Sequence, residues 1–362
     1  MAFRTLTPLW TGGVEAGKME RIHETGIIGS LRWWFEVFMR GFGGMVNDPT
    51  KDERSGFDSE KYKKSQATDE RARLRDAGLC DVSQVFGATG WRRRFRLTII
   101  DQTQRDTSLP TPISADRTNS RTNKKPTWWF PDQPRSGNLT IQMQSLDRYF
   151  PAGVIGGLLQ FVADWAAVGA KAQMGFGVVE PVSGRVDTRP LYDWLVAAAG
   201  NRQYPKLPNL PNLQNIFLAR IQLQNATDQS TFNLKYDLRQ LFAGQQNTKL
   251  RHFIMGTVED GRMAAKVKMS RPYCGGLMRI WGWIPDQADV DSDKWDREKV
   301  VDAIYKHLST NYTLQVWREM NSPRDSVTPN NVDIKVFSQS LLGLGGEDDA
   351  ARLLCLPANR TD

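Results

Sequence analysis

The sequence predicts an α+β protein with two consecutive domains, each an antiparallel sheet that carries two helices on one face. The chain has 362 residues, a length typical of two domains, and 40% of them are hydrophobic, which suffices for two cores. In the first half, strand-like and helix-like patterns follow one another in the order β-α-β-β-α-β, that of a ferredoxin-like (RRM-like) fold. The second half repeats this order more weakly. We therefore predict tandem ferredoxin-like domains with inserted loops.

The best-defined element of the first domain is a helix over residues 31–40. Leu31, Trp34 and Phe38 share one helical face, and a cluster of glycines from Gly41 onward ends the pattern. The other elements predicted here are a strand within 3–10, strands within 91–100 and over 139–143, a helix over 152–170, and a strand that follows the glycine-bearing loop 173–177.

Two polar segments interrupt the first domain, near residues 46–75 and 102–127. The first lacks an apolar period and predicts a mobile surface insertion that contributes little to the core, whereas the second predicts a long hairpin. Prolines between residues 181 and 211 predict a junction, with domains over 1–185 and 186–362. In the second domain we predict strands near 217–223, 266–269, 277–283 and 332–337 and helices near 191–199, 234–253 and 295–308.

The charge balance favours a polyanionic partner. The chain carries 48 basic and 40 acidic residues, a net charge of +8, and a pI near 9.4, which points first to nucleic acid. Cys80, Cys274 and Cys355 lie far apart without metal-ligand spacing, so neither a disulfide framework nor a zinc site is expected. The sequence shows no signal peptide and no long apolar run, which predicts a cytoplasmic protein without membrane contact.

The first candidate site is the glycine-bearing start of the predicted helix. Helix N-termini attract phosphate, Gly29 would let a ligand approach closely, and Arg32 could add a bidentate contact. The alternative is structural: Ser30 caps the helix, and Gly29 serves only close packing.

The second candidate is the loop that follows Lys171. Gln173, Gly175 and Gly177 would form a flexible segment along a phosphate backbone, with Phe176 stacked on a base. The alternative is an ordinary glycine turn with Phe176 in the core.

Three further groups combine basic and aromatic residues, the usual chemistry of single-stranded nucleic-acid binding. Each group could equally be a solvated face or a buried sheet. They are Arg92 and Arg93 after Trp91, Lys124 and Lys125 before Trp128 and Trp129, and Arg271 before Gly275 and Gly276.

Few residues of the sequence are candidates for catalysis. Of the three histidines, only His23 lies near a candidate site, where it could act as a general base for metal-independent RNA cleavage. Motifs for metal-dependent or nucleophilic hydrolysis are absent. We predict no catalytic residue, metal or cofactor. The alternatives are a processing endoribonuclease that uses His23 and a protein scaffold without RNA contact, the latter favoured by the 12 tryptophans.

Four short segments, in order, resemble motifs of the repeat-associated mysterious protein (RAMP) superfamily of CRISPR-associated proteins. They are residues 7–13, 29–34, 85–87 and 175–177, and the resemblance covers the first half of the chain. The aromatic residues after Arg32 are most similar to those of the first-numbered subunit of the type III-B Cmr effector complex.

The resemblance implies a non-catalytic, CRISPR RNA-binding subunit in antiviral defence. Such a subunit caps the 3′ end of the guide RNA, contacts target RNA and assembles with other RAMP subunits of the Cmr complex. It also implies that Arg32 and the loop 173–177 lie at the RNA surface, and that other subunits cleave the target.

Overall fold

The first half of the chain forms one four-stranded antiparallel sheet. The computed structural model describes residues 1–51, 55–119, 123–199, 207–243, 248–258, 261–290 and 295–345. The elements of this half are β1 (Ala2–Thr5), α1 (Glu24–Gly41), α2 (Ser59–Lys64), α3 (Glu70–Asp76), α4 (Asp81–Phe86), β2 (Phe95–Arg105), β3 (Ile113–Ser114), β4 (Thr127–Trp128), β5 (Arg135–Ser145), α5 (Gly153–Trp165) and β6 (Val179–Pro181). The sheet order is β2-β5-β1-β6, with α1 and α5 as the two crossover helices, which is the predicted ferredoxin-like arrangement.

The second half repeats this topology. Its elements are α6 (Arg189–Ala199), β7 (Ile216–Gln222), α7 (Ser230–Leu241), α8 (Lys249–Met255), β8 (Val267–Met269), β9 (Leu277–Trp283), α9 (Arg297–Asn311), β10 (Thr313–Arg318) and α10 (Ile334–Leu341). The strands pair antiparallel in the order β10-β7-β9-β8. The predicted α+β class with antiparallel sheets is therefore confirmed, and the second sheet has the same strand order as the first.

Helix α1 begins at Glu24, well before the predicted start at residue 31. Gly26 and Gly29 lie within its first two turns, although glycine lowers helix propensity. A Cβ at position 26 would lie 3.0 Å from the Thr11 side chain. Close packing on Thr11 thus accounts for Gly26, and tertiary contacts override the local signal.

The last strand of the second sheet is β10, and the prediction of a strand over 332–337 is wrong. Val332, Ile334 and Val336 alternate as in a strand, but Asp333 caps α10 by accepting a 2.8 Å hydrogen bond from the Lys335 N–H. The helix predicted over 234–253 is two helices, α7 and α8.

The first polar segment is ordered where the structure describes it, which corrects the prediction of a mobile insertion. Helices α2 and α3 start at the carboxylate caps Asp58 and Asp69, and Leu74 is fully buried. The Arg71 guanidinium lies 4.0 Å above the Trp194 ring. Capping and cation–π contacts stabilise this segment, so a search for apolar period missed it.

The second polar segment forms the predicted hairpin, with Ile113 opposite Trp128 in the β3-β4 pair. The hairpin packs on α7 of the second half. The Trp128 and Phe232 ring centroids are 4.7 Å apart, and the Asp116 N–H donates a 2.7 Å hydrogen bond to Asn233. This insertion therefore joins the two halves.

The two sheets and their helices stack in four layers. Leu218 and Trp281 of the second sheet join the same core as α1, α5 and the first sheet. Phe217 and Ile280, on the opposite face, pack with α7 and α9 in a second core. Helices α1 and α5 are thus covered on both sides, and twelve of the thirteen residues of α5 are buried.

The segments that flank the two sheets also cross between the halves. Trp165 of α5 donates a 3.0 Å hydrogen bond to the carbonyl of Leu341 in α10, and α6 packs on α5. The domain boundary at residue 185 stays a prediction. No helix in the described ranges combines the length and hydropathy needed to cross a bilayer.

We expect Arg279→Ala to lower the free energy of unfolding by about 1–3 kcal/mol, because its guanidinium is buried and satisfies a carbonyl of the other half. Its Nη1 lies 3.1 Å from the Ala166 oxygen, and its Nε lies 2.7 Å from the Tyr273 hydroxyl. Urea denaturation measures the change. Arg96→Ala, at an exposed position of β2, serves as the control, with an expected change within about 0.5 kcal/mol. Equal effects of the two substitutions would contradict the junction described here.

Candidate nucleic-acid interface

Three of the predicted motifs meet on α1. Ser30 lies inside the helix rather than at its start, which corrects the predicted N-terminal site. Its Oγ accepts a 2.9 Å hydrogen bond from the Gly169 N–H and lies 3.2 Å from the Gly26 and Gly169 carbonyl oxygens. Ser30 therefore fastens the loop after α5 to the helix.

Arg32 and Gly29 form the accessible part of this helix. The Arg32 Nη1 lies 3.3 Å from the carbonyl oxygen of Gly87, and its Nε lies 3.3 Å from Glu36. Gly29 is exposed, and a Cβ there would have no neighbour within 4 Å. We call the surface formed by Gly29, Arg32 and Trp33 the α1 face.

Gly175 and Gly177 of the predicted RNA loop must be glycines, because other backbone atoms lie too close for a side chain. Both have positive φ, +93° at Gly175 and +94° at Gly177. A Cβ at Gly177 would lie 2.0 Å from the Val168 oxygen, and one at Gly175 would lie 2.7 Å from the Arg271 nitrogen. The Gly175 carbonyl accepts a 3.0 Å hydrogen bond from the Arg271 N–H. The loop is thus a joint between the two halves.

Two predicted RNA contacts are buried instead. Phe176 is fully buried, with its ring 5.9 Å from that of Trp10 and 5.4 Å from that of Phe130. Base stacking on Phe176 is therefore wrong, and its alternative in the core is correct. Arg271 is 4% exposed and forms a 2.5 Å ion pair with Asp228.

Lys171 lies at the accessible end of this loop. Its backbone is left-handed, with φ at +57°, and its Nζ lies 3.4 Å above the Trp10 ring. Burial lowers the pKa of Lys171 to about 8, because the half-buried ammonium has lost part of its water. The side chain presents a cation backed by an aromatic ring, two residues after Gly169, which is hydrogen-bonded to Ser30 of α1.

Arg92 and Arg93 precede β2, which begins only at Phe95. Arg92 is exposed and Arg93 is half-buried. The Arg93 backbone nitrogen would lie 3.0 Å from a Cβ at Gly87, the residue whose carbonyl faces Arg32. The Arg93 backbone therefore lies beside the α1 face, and its guanidinium lies 5.9 Å from the Phe95 ring.

Lys124 and Lys125 lie on the hairpin and not on the α1 face. Both are exposed, and the Lys124 carbonyl accepts a 3.0 Å hydrogen bond from the Asn119 N–H. Trp128 points inward to Phe232, whereas Trp129 points outward and is 74% exposed. These residues form a separate basic and aromatic surface.

Sequence reasoning missed three lysines at the junction of the two halves. We call Lys235, Lys266 and Lys268 the junction lysines. The Lys235 Nζ lies 3.2 Å from the Gln173 carbonyl oxygen, the Lys266 Nζ lies 3.5 Å above the Phe253 ring, and the Lys268 Nζ lies 4.7 Å above Trp33. The alternation of Lys266 and Lys268 with buried Val267 and Met269 was the available signal.

The junction lysines form no ion pair with a carboxylate in the part of the chain that the structure describes. Burial is the main cause that lowers the pKa of Lys235 to about 7 and the pKa values of Lys266 and Lys268 to about 8. A cation held in this way lacks a counter-ion, and an anionic ligand could supply one.

His23 is the N-cap residue of α1 and makes no side-chain capping bond. Its Nε2 lies 2.7 Å from a carboxylate oxygen of Glu20, so one ring nitrogen is engaged at the surface. Within the described ranges, no group of three or more metal-ligating side chains occurs.

Comparisons with known proteins identify one family. Residues 2–180 match the model of the RAMP superfamily. No curated protein matches the chain.

Similar solved structures include the apo crystal structure of Cmr1 from Pyrococcus furiosus, at 14% identity, covering 86% of this chain and 97% of that one, with a TM-score of 0.43. Two further similar chains come from cryo-EM structures of the type III-B Cmr-beta complex. One is bound to cognate target RNA and AMPPnP in the presence of ssDNA (11% identity, 86% and 98% coverage, TM-score 0.36). The other is bound to cognate target RNA (10% identity, 84% and 98% coverage, TM-score 0.37).

We expect Gly177→Ala to lower the free energy of unfolding by more than about 2 kcal/mol, because it combines a left-handed backbone with a clash on a carbonyl oxygen. Gly29→Ala should raise it by about 0.5–1 kcal/mol, since the new methyl group meets nothing and alanine favours a helix interior. Urea denaturation of both variants measures these changes. The two changes in the free energy of unfolding should have opposite signs. A destabilised Gly29→Ala variant would mean that the α1 face is covered by protein.

We expect Lys235→Met to be more stable than the wild type at pH 6, by an amount on the order of 3–5 kcal/mol. The pKa of Lys235 in the folded protein, about 7, lies below its usual 10.5. The unfolded chain therefore binds the proton more tightly, which destabilises the fold below pH 7, and this penalty fades as the pH rises from 7 towards 10.5.

Chemical denaturation at pH 6, 7, 8 and 9 follows this difference. Lys299→Met is the control, because its side chain is 85% exposed, and it should show no comparable dependence on pH. A Lys235→Met advantage that grows with pH would contradict the assignment.

Proposed function

We propose, since the chain belongs to the RAMP superfamily through residues 2–180, that it is a CRISPR RNA-binding subunit of a type III-B (Cmr) effector complex without catalytic activity of its own. The observation that carries the proposal is that two of the family motifs, residues 29–34 and 85–87, meet at the α1 face, where Arg32 approaches the Gly87 carbonyl. Gly29 leaves room for a ligand there, and Lys171 lies on the loop that Ser30 holds to α1 through Gly169.

The chemistry of this face suits a nucleic-acid backbone. Arg32 and Arg93 offer planar, bidentate donors that match phosphate oxygens, and Lys171 adds a cation supported by the Trp10 ring. The net charge of +8 attracts a polyanion over a longer range. Contacts of this kind read phosphate and shape more than base sequence.

The free face of the first sheet supports a different mode of binding from that of an RRM domain. RRM domains stack bases on aromatic residues of the sheet. Here the outward positions of β2 and β5 include Arg96, Thr98, Ile100, Gln142 and Gln144. With no aromatic ring among these residues, binding at the α1 face is favoured over stacking on the sheet.

The place of the chain in the complex follows from its resemblance to the first-numbered Cmr subunit. We infer that it caps the 3′ end of the guide RNA, contacts incoming target RNA, and assembles in the cytoplasm with other RAMP subunits. Target cleavage then belongs to those subunits. The alternative nuclease role rests on His23, whose Nε2 pairs with Glu20, and the experiment below decides between the two roles.

The test is co-purification of the tagged chain from its native host. We expect CRISPR-derived RNA and several RAMP proteins with the wild type, and about tenfold less RNA with the double variant Arg32→Ala/Arg93→Ala, because two phosphate contacts are lost. Quantitative sequencing of the bound RNA and mass spectrometry of the attached proteins measure both.

Lys299→Ala, on the distant surface of α9, should retain the RNA. A wild-type protein that elutes without RNA or partners would refute the proposal. If the purified protein cuts RNA in EDTA and the His23→Ala variant does not, the nuclease role would replace the proposed function.

A further inference from the structure

The edge strand of the second sheet brings a cation to the α1 face. In β8, Val267 and Met269 point into the core with the helices of the second half. Lys268 therefore points to the opposite face of the sheet, the face that packs on the first half. Its Nζ lies 4.7 Å above the ring of Trp33 in α1.

This contact lies beside an open part of α1. Gly29 and Trp33 are four residues apart and share one face of the helix. A side chain at position 29 would meet nothing within 4 Å, so a gap lies next to the Trp33 ring. Lys268, above the Trp33 ring, and Arg32, the residue before Trp33, bring positive charge close to this gap.

The charge of Lys268 is not neutralised by the protein groups around it. The nearest acidic residue on α1, Glu36, is already shared by Arg32 and Arg40, at 3.3 and 3.1 Å. Lys266, the residue before β8, is held within the second half, where its Nζ donates a 2.9 Å hydrogen bond to the Phe253 carbonyl. Burial lowers the pKa of Lys268 to about 8, as expected for an ammonium that is largely removed from water and lacks an anion.

We propose that Lys268 and Trp33 form an RNA-binding site across the junction, in which Lys268 contacts a phosphate of a single strand that crosses the α1 face at Gly29. The second half of the chain then binds RNA directly. This inference rests on the proposed function and deepens it, because it extends the interface beyond the residues that the RAMP model matches.

The observations favour RNA over an acidic protein segment as the occupant. A glycine gap lets a sugar-phosphate backbone come close to the helix, and the Trp33 ring can support both a cation and a neighbouring base. The surrounding groups are cations rather than the apolar residues that form the centre of a protein interface.

The decisive variant is Lys268→Met, which keeps the aliphatic stem over Trp33 and removes the charge. Fluorescence anisotropy with a labelled single-stranded CRISPR repeat RNA, over a series of salt concentrations, measures binding. We expect affinity to fall about five- to tenfold and the slope of log affinity against log salt to become shallower by about 0.7, as for one lost phosphate contact. The thermal midpoint should rise, because a buried charge without a counter-ion is gone.

Two controls separate a binding role from a structural one. Lys268→Arg should keep the affinity within about twofold, since it keeps the charge. Lys299→Met, whose side chain is 85% exposed on α9, should change neither the affinity nor the midpoint. A purely structural role for Lys268 would lower the midpoint and the affinity together.

The outcomes distinguish this inference from the function on which it rests. A wild-type chain without measurable affinity for RNA would overturn both. A wild-type chain that binds RNA, with Lys268→Met unchanged in affinity and salt slope, would overturn the inference alone. Photo-crosslinking of the wild-type protein to RNA gives a second reading that needs no variant: crosslinked peptides from α1 and β8 are expected, and crosslinks confined to the first half would count against it.

Discussion

The arrangement of both halves depends on how the C-terminal end of α5 is capped. The last carbonyls of a helix lack partners within it and carry partial negative charge. Here two arginines of the second sheet supply the missing donors: the Arg220 Nη2 lies 2.6 Å from the Asp164 oxygen, and the Arg279 Nη1 lies 3.1 Å from the Ala166 oxygen. The Arg220 guanidinium also lies 4.7 Å from the Trp165 ring. A joint that satisfies charge, carbonyl and aromatic face together has little freedom to shift.

The cap on α5 also fixes where the following loop begins. Its early residues are tied to Ser30 of α1, and its later glycines lie against Val168 and Arg271. The side chains of this loop are therefore placed by contacts from both halves. Preorganisation of this kind lowers the entropy lost when a flexible ligand binds.

Buried cations of this chain are stabilised in two different ways. Arg318 is paired with Asp325 at 3.1 Å, with both side chains buried, whereas the junction lysines rest on aromatic rings and carbonyl oxygens. An aromatic face offsets only part of the cost of removing water from an ammonium. The rest of that cost remains in the folded protein, and it lowers the pKa values of these lysines.

The sequence allowed the topology to be predicted because alternation in the strands and the apolar faces of α1 and α5 are strong local signals. It failed where long-range contacts decide: Gly26 and Gly29 lie within α1 because that helix packs on Thr11 and on the loop after α5. For the site, Arg32, Arg93 and Lys171 could be found from charge next to glycine and aromatic residues. Phe176 and Arg271 have the same local signature, and only the packing of the second half shows that they are buried. Lys268 escaped notice because its partner, Trp33, is distant in the chain.

The central place of β1 in the first sheet has a consequence for synthesis on the ribosome. This strand emerges before both of its neighbours, residues 138–140 and 179–181. Until β6 has left the exit tunnel, β1 has an unpaired edge on at least one side, and unpaired edges of nascent chains invite intermolecular association. The arginines that cap α5 arrive later still, at residues 220 and 279. The first half therefore cannot complete its contacts until the second half has been synthesised. We expect the yield of native protein to depend on elongation rate and chaperone supply.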